Sequence, residues 1–171
     1  MLSSPVLVTA PQSAVIALDR AKSFLRIDEA AQDAEIELMA AAAAEQVENI
    51  TGQRLLAQRV SLTADRFDDL VALPIGPVRA VVSLSADGIA LDAATYRLFG
   101  PPPQSGIVAV DRWPRDPMKP RQIELVLDVG YADASAVPPA LQMACLAALR
   151  GLYEDMAVDL APLVDAHRIW L

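Results

Sequence analysis

The spacing of apolar residues changes twice along this chain of 171 residues. From 34 to 51 they recur every three to four positions. Between 58 and 129 much of the chain alternates apolar and polar at every second position, and from 139 onward the helical spacing returns. A helix carries a stripe with a period of 3.6, whereas a half-buried strand carries a face with a period of 2. A chain that reads helix, strands, helix folds with its helices together and its strands inserted between them. The expected class is therefore α+β. It has an α-helical hairpin or bundle, with long helices at about 30–51 and 138–156. An antiparallel β-sheet or small barrel is inserted at about 57–130, and an extended tail closes the chain at 161–171. Residues 15–160 are expected to form a single domain.

The long helix is the most informative stretch. Ile36, Met39, Ala40, Ala43, Val47 and Ile50 fall within an arc of roughly 100°. Asp28 or Asp33 can cap its start, and Gly52 stands where a left-handed residue would end it. Between Arg26 and Arg54 there are seven acidic residues and no basic one. Those near the start suit the positive end of the macrodipole; Glu45 and Glu48 do not. Leu38, with Ala41 and Ala42 nearby, lies away from the apolar stripe. Two readings stay open: a solvated acidic face with a stray leucine, or a helix that packs inward on its own domain and outward on a neighbour.

Elsewhere the signals are local. Pro5 and Pro11 make residues 1–14 a flexible or extended arm. Ile16–Leu25 reads as a short helix. Val60, Leu62 and Ala64 alternate with polar residues, Leu70–Leu73 reads as a short edge piece before Pro74, and Asp87-Gly88 marks a hairpin. Tyr96–Phe99 and Ile107–Val110 flank a proline-rich loop, and the alternation at 122–129 is the cleanest strand. Pro138-Pro139 opens the last long helix. Its main stripe is Leu141, Cys145, Ala148, Leu149, Leu152 and Met156. Met143, Leu146 and Tyr153 lie on the other side and, with Leu38, are the candidate subunit contacts.

Catalytic chemistry finds no foothold in the sequence. The one histidine, His167, sits four residues from the end, and the one cysteine, Cys145, lies on an apolar helix stripe. Asp65, Asp68 and Asp69 lack the glycine and terminal glutamate of a calcium loop. No phosphate-binding, zinc-protease or nucleophile-elbow motif occurs. No catalytic residue, metal or cofactor is expected. A net charge of −8 opposes sequence-independent binding of nucleic acid, and no run is long enough to span a membrane. Two features remain. One is the stretch Arg112, Trp113, Arg115, Lys119 and Arg121, a cationic, proline-rich loop that is either a solvated connection or a lip that meets an acidic partner surface. The other is the tail His167, Arg168, Ile169, Trp170 and Leu171, whose apolar side chains either fold back on the chain's own domain or dock on a partner.

Taken in order, AKSFLRID at 21–28, AEIELMAAAAAEQVENITGQRL at 34–55, QRVSL at 58–62, LPIGPVRAVVSL at 73–84, Ala94–Arg97 and VLDVGYAD at 126–133 leading into VPPALQMACLAALRGLYED at 137–155 resemble the head–tail connector, or adaptor, proteins of long-tailed phages and phage-like gene-transfer particles. The resemblance implies a structural, non-enzymatic subunit. It implies a homo-oligomeric ring, dodecameric in the particle, stacked beneath the portal protein and above a stopper or tail protein. DNA would pass through the lumen without sequence-specific binding. It also implies cytoplasmic assembly followed by residence in the virion or particle, away from membranes. A monomeric binding module using the same tail, or a small hydrolase, are the competing classes.

Overall fold

Alternation is strictest in residues 123–129, and that strand occupies the centre of the sheet. The computed structural model of the chain describes residues 1–114 and 122–170. The central strand, β7 (Ile123–Val129), buries Ile123, Leu125, Leu127 and Val129 and turns the residues between them outward. It pairs antiparallel on one side with β2 (Gln58–Ala64) and on the other with β3 (Val78–Ala86). Two irregularities in β3 shift its register, one of them leaving Arg79 exposed. β3 turns into β4 (Ile89–Ala90) through Asp87 and Gly88, whose φ angles of 53° and 78° are those of the expected tight hairpin.

Residues 1–14, expected as an arm, hold a strand. β1 (Val6–Thr9) pairs with β2, giving the sheet order β1-β2-β7-β3-β4. The two prolines flank this strand and do not interrupt it. The N-terminal ammonium meets Asp65 at 3.0 Å and Asp69 at 2.5 Å, and holds the Asp69 carboxyl below its usual range. A separate two-stranded ribbon joins β5 (Tyr96–Phe99) and β6 (Gly106–Ala109), so the strands form an open sheet and a ribbon with no closed barrel. The edge piece expected at Leu70–Leu73 is instead a 3-10 turn over Phe67–Val71. The Asp69 carboxylate accepts the Arg66 N–H at 3.1 Å and winds the chain into that turn.

The chain divides into two compact units where one domain was expected. The sheet unit holds residues 1–10, 57–130 and 169–171; the helical unit holds 11–56 and 131–168. The helical unit contains α1 (Leu18–Leu25), α2 (Asp33–Thr51), α3 (Pro139–Tyr153) and α4 (Ala161–Val164). α2 and α3 pack on each other, and α1 rests on both. Ile36, Ala40, Ala43 and Val47 meet Leu141, Ala144, Cys145 and Ala148 in one core. Small side chains let the two backbones approach closely. α1 ends at Arg26 and α2 at Gly52, both left-handed, and the Gly52 N–H returns to the Glu48 carbonyl at 2.9 Å. A 3-10 turn at Ala30–Gln32 precedes α2, so the helix expected from residue 30 starts as a tighter coil.

Two expectations for the C-terminal part are corrected. α3 ends three residues before Met156, because Asp155 is left-handed (φ 52°) and the Met156 N–H turns back to the Gly151 carbonyl at 2.8 Å. The tail is not extended throughout. Pro162 lies in the first turn of α4, a 3-10 turn follows at Asp165–His167, and Leu160 and Val164 are buried in the helical core. Proline in a first helical turn forfeits no intrahelical hydrogen bond, so it starts this helix.

Candidate functional site

The structure sorts the candidate contact residues by exposure. Leu38 projects from α2 with 71% of its surface exposed, among Glu35, Glu37 and Ala41, which are also exposed. Met143 and Tyr153 on α3 are 48% and 38% exposed, and the Tyr153 hydroxyl donates to Gln32 at 3.3 Å. Leu146 is the correction among them: it is buried in the helical core. α3 is covered by α1, α2 and α4, so its buried arc is wider than one stripe and takes in Leu146.

The tail is held at its backbone, and much of its tryptophan is exposed. Gln53, fully buried just after α2, accepts the Tyr131 hydroxyl at 2.6 Å through Oε1, and its Nε2 donates to the His167 carbonyl. Arg168 lies 3.6 Å from Asp165. Further on, the Trp170 carbonyl accepts the Gln104 side-chain amide, while 60% of the Trp170 surface stays exposed. Ile169 is half-buried, with its Cδ1 close to Gly76. Leu171 lies outside the described residues. Gln53 carried no signal in the sequence, since a glutamine after a helix-ending glycine reads as a surface turn.

In the cationic loop Trp113 stacks on Phe67, with ring centroids 4.4 Å apart and planes 7° from parallel. Its ring therefore anchors the loop on the sheet unit, and Arg112 beside it is exposed. Arg115, Lys119 and Arg121 lie outside the described residues.

Unusual electrostatics trace to structural roles. The Glu48 carboxylate, which opposes the helix dipole, accepts the Leu55 N–H at 2.8 Å and meets Arg54 at 3.2 Å, closing the chain reversal after α2. Burial pushes its pKa up against those partners. Burial, with Glu48 nearby, pushes the Cys145 thiol up to about 12, so it is a protonated core side chain at neutral pH. Asp128 is held low by Arg59, 2.8 Å away on the adjacent strand. Asp133 is held low by the Ser135 hydroxyl and two backbone N–H groups, in a turn that leads into α3. Among the described residues no three His, Cys, Asp or Glu side chains converge on a possible metal position. A cleft lined by Asp19, Lys22, Ser23, Arg26, Ile27 and Asp28 lies open to solvent. Of the apolar candidates, Leu38 and Met143 are exposed on the helical unit and Trp170 on the sheet unit.

The α+β fold is shared with known particle components. Residues 15–88, from before α1 through the β3 hairpin, match the family described as phage gp6-like head–tail connector protein. A chain in the virion of a native gene transfer agent (GTA) particle is 25% identical, with a TM-score of 0.82 covering 99% of this chain and 97% of that one. A chain in the neck of an empty GTA particle, computed with C6 symmetry, shares the fold at TM-score 0.79 and 22% identity, covering 100% and 96%. One in the neck of a native GTA particle, computed with C12 symmetry, does so at 0.68 and 21%, covering 96% and 97%. No curated protein sequence matches the chain. The resemblance to head–tail connectors read from the sequence is borne out.

Proposed function

We propose that this protein is a structural head–tail connector subunit of a phage-like gene-transfer particle, forming a ring between the portal and the tail through which DNA passes. The observation that carries this reading is the near full-length likeness to a chain of a GTA virion, joined to the connector-family match over residues 15–88. The six- and twelvefold symmetries of the necks that share the fold favour a ring of identical copies. In this ring Leu38, Met143 and Tyr153 are contacts between neighbouring copies, and the tail docks into the portal with the Trp170 ring as its anchor. A tryptophan filling a pocket with an arginine at the rim is a common hot-spot pair, and Arg168 stands two residues away. The helix at 161–164 and the Gln53 bond to His167 order the chain that leads into the tail, which lowers the entropy lost on docking. A stopper or tail protein would meet the opposite rim. The subunit would assemble in the cytoplasm and act without catalysis.

The test is particle assembly in producing cells that lack this chain, complemented by the wild type or by Trp170→Ala. Without the chain, filled heads and separate tails are expected; the wild type restores joined particles, and Trp170→Ala, which folds normally, does not. Joined, infective particles in the complete absence of the chain would sink the connector reading.

A further inference from the structure

The chain leaving α3 is folded back onto the helix by specific contacts. The Glu154 N–H bonds the Arg150 carbonyl at 2.9 Å and the Met156 N–H bonds that of Gly151 at 2.8 Å. A Cβ on Gly151 would come within 2.7 Å of a Val158 methyl, so only glycine lets the fold-back close. The result is a run, 152–159, in which every residue is exposed. Leu152, Tyr153, Met156 and Val158 face solvent here, Met156 with 57% of its surface, and α4 packs against the same helix. Glu154, Asp155 and Asp159 lie among them. Glu154 is paired with Arg150 at 3.2 Å, so the unpaired negative charge at the patch is that of Asp155 and Asp159; an apolar patch edged in this way and held in shape by the backbone marks an interaction surface. Its complement is a protein segment with apolar side chains set among cations.

This chain carries such a segment itself. Residues 112–121 hold four cations against one acid, with Trp113 and Met118 between them. The Trp113–Phe67 stack roots its start in the sheet unit, and Arg112 is exposed there. Charge divides the same way. The helical unit has thirteen carboxylates and six Lys or Arg, while the sheet unit has nine and eight. Because the two complementary surfaces differ, their contact between copies is head-to-tail, the kind that closes into rings. We propose that the acidic, apolar end of α3 seats the cationic stretch beginning at Arg112 of a second copy. The inference rests on the connector reading only in requiring copies side by side.

The test uses full-length chain in particle-producing cells: Met156→Arg, Arg112→Glu and the two combined, with the melting temperature of each purified chain measured in parallel. Each single substitution sets like charges against each other and should lower the yield of joined particles by at least about tenfold. The combined variant restores a cation–anion contact and should recover most of the yield, with all three chains melting as the wild type does. Singles that assemble normally, or a combined variant no better than the singles, would overturn the pairing. Singles that melt well below the wild type would place the contact within one copy and overturn it as well. Wild-type chain that never enters particles would instead refute the connector reading.

Discussion

The two units of this chain build their cores from different material. The helical core rests on small side chains, with Ala21, Ala40, Ala43, Ala144 and Ala148 all buried. The sheet core is filled by large aliphatic ones. Of the twelve largest fully buried side chains, nine belong to the sheet unit and three, Ile36, Leu55 and Leu141, to the helical unit. Helices whose backbones meet across alanines gain by close approach, whereas a sheet face needs bulk to fill the space above it. The same sum of buried residues is therefore vulnerable in opposite directions: the sheet unit to losing volume, the helical unit to gaining it.

The largest expected effects test that contrast directly. Leu127→Ala, at the centre of β7 and fully buried, should cost about 2–5 kcal/mol through lost transfer energy and the cavity left behind. Ala43→Leu, in the face of α2 that packs in the helical core, should cost about 1–3 kcal/mol by overpacking. Urea unfolding measures both. A neutral Ala43→Leu would mean the helices have slack between them, and the contrast would fail on that side.

A somewhat smaller effect sharpens the comparison. The helical unit buries a glutamine with long reach in the chain: Gln53 ties Tyr131, before α3, to His167, after α4. Gln53→Leu keeps the bulk and removes both bonds. Leaving a partly buried hydroxyl and a carbonyl without their partner should cost about 1–2 kcal/mol. Hydrogen exchange should also quicken selectively over 161–168. Uniform loosening of the whole helical unit would mean that Gln53 acts as core filling and not as the tie of the tail.

How much of this was legible in the sequence depends on how local each cause is. β7, β2 and the Asp87-Gly88 hairpin could be read because alternation and positive φ are properties of adjacent residues. The stripe of α2 could be read for the same reason. Leu146 could not, since a wheel drawn on one helix does not say how many neighbours surround it. The strand at Val6–Thr9 was obscured by Pro5 and Pro11, whose effect on helices says little about an extended segment between them. At the candidate surface, Leu38 and Trp170 stood out as apolar residues off any core pattern, and both are exposed. The fold-back over Gly151 had no such signal, because it depends on contacts with Met156 and Val158 that only the folded chain makes.

Acidity separates the units too, and Glu48 is where it reaches the helical core's edge. Its carboxylate accepts the Leu55 N–H and pairs with Arg54, yet burial raises its pKa, with the charge of Glu45 adding to the effect. A carboxyl whose pKa is higher folded than unfolded binds more protons in the native state. Its presence therefore lowers stability as pH rises from the ordinary carboxylate range through the raised folded value. Glu48→Gln removes that titration while keeping an oxygen to accept the Leu55 N–H. The variant loses the ion pair with Arg54 at every pH where Glu48 is charged, so its absolute stability is less informative than its slope. Relative to the wild type, Glu48→Gln should gain stability between pH 4 and pH 7, read from thermal melts across that range at fixed salt. The depressed carboxylates of the sheet unit, Asp69 and Asp128, act with the opposite sign in both proteins and cancel in the difference. If the variant instead loses ground as pH rises, the charged Glu48 is a net stabiliser of the turn after α2, and its bonds to Leu55 and Arg54 outweigh the cost of its burial.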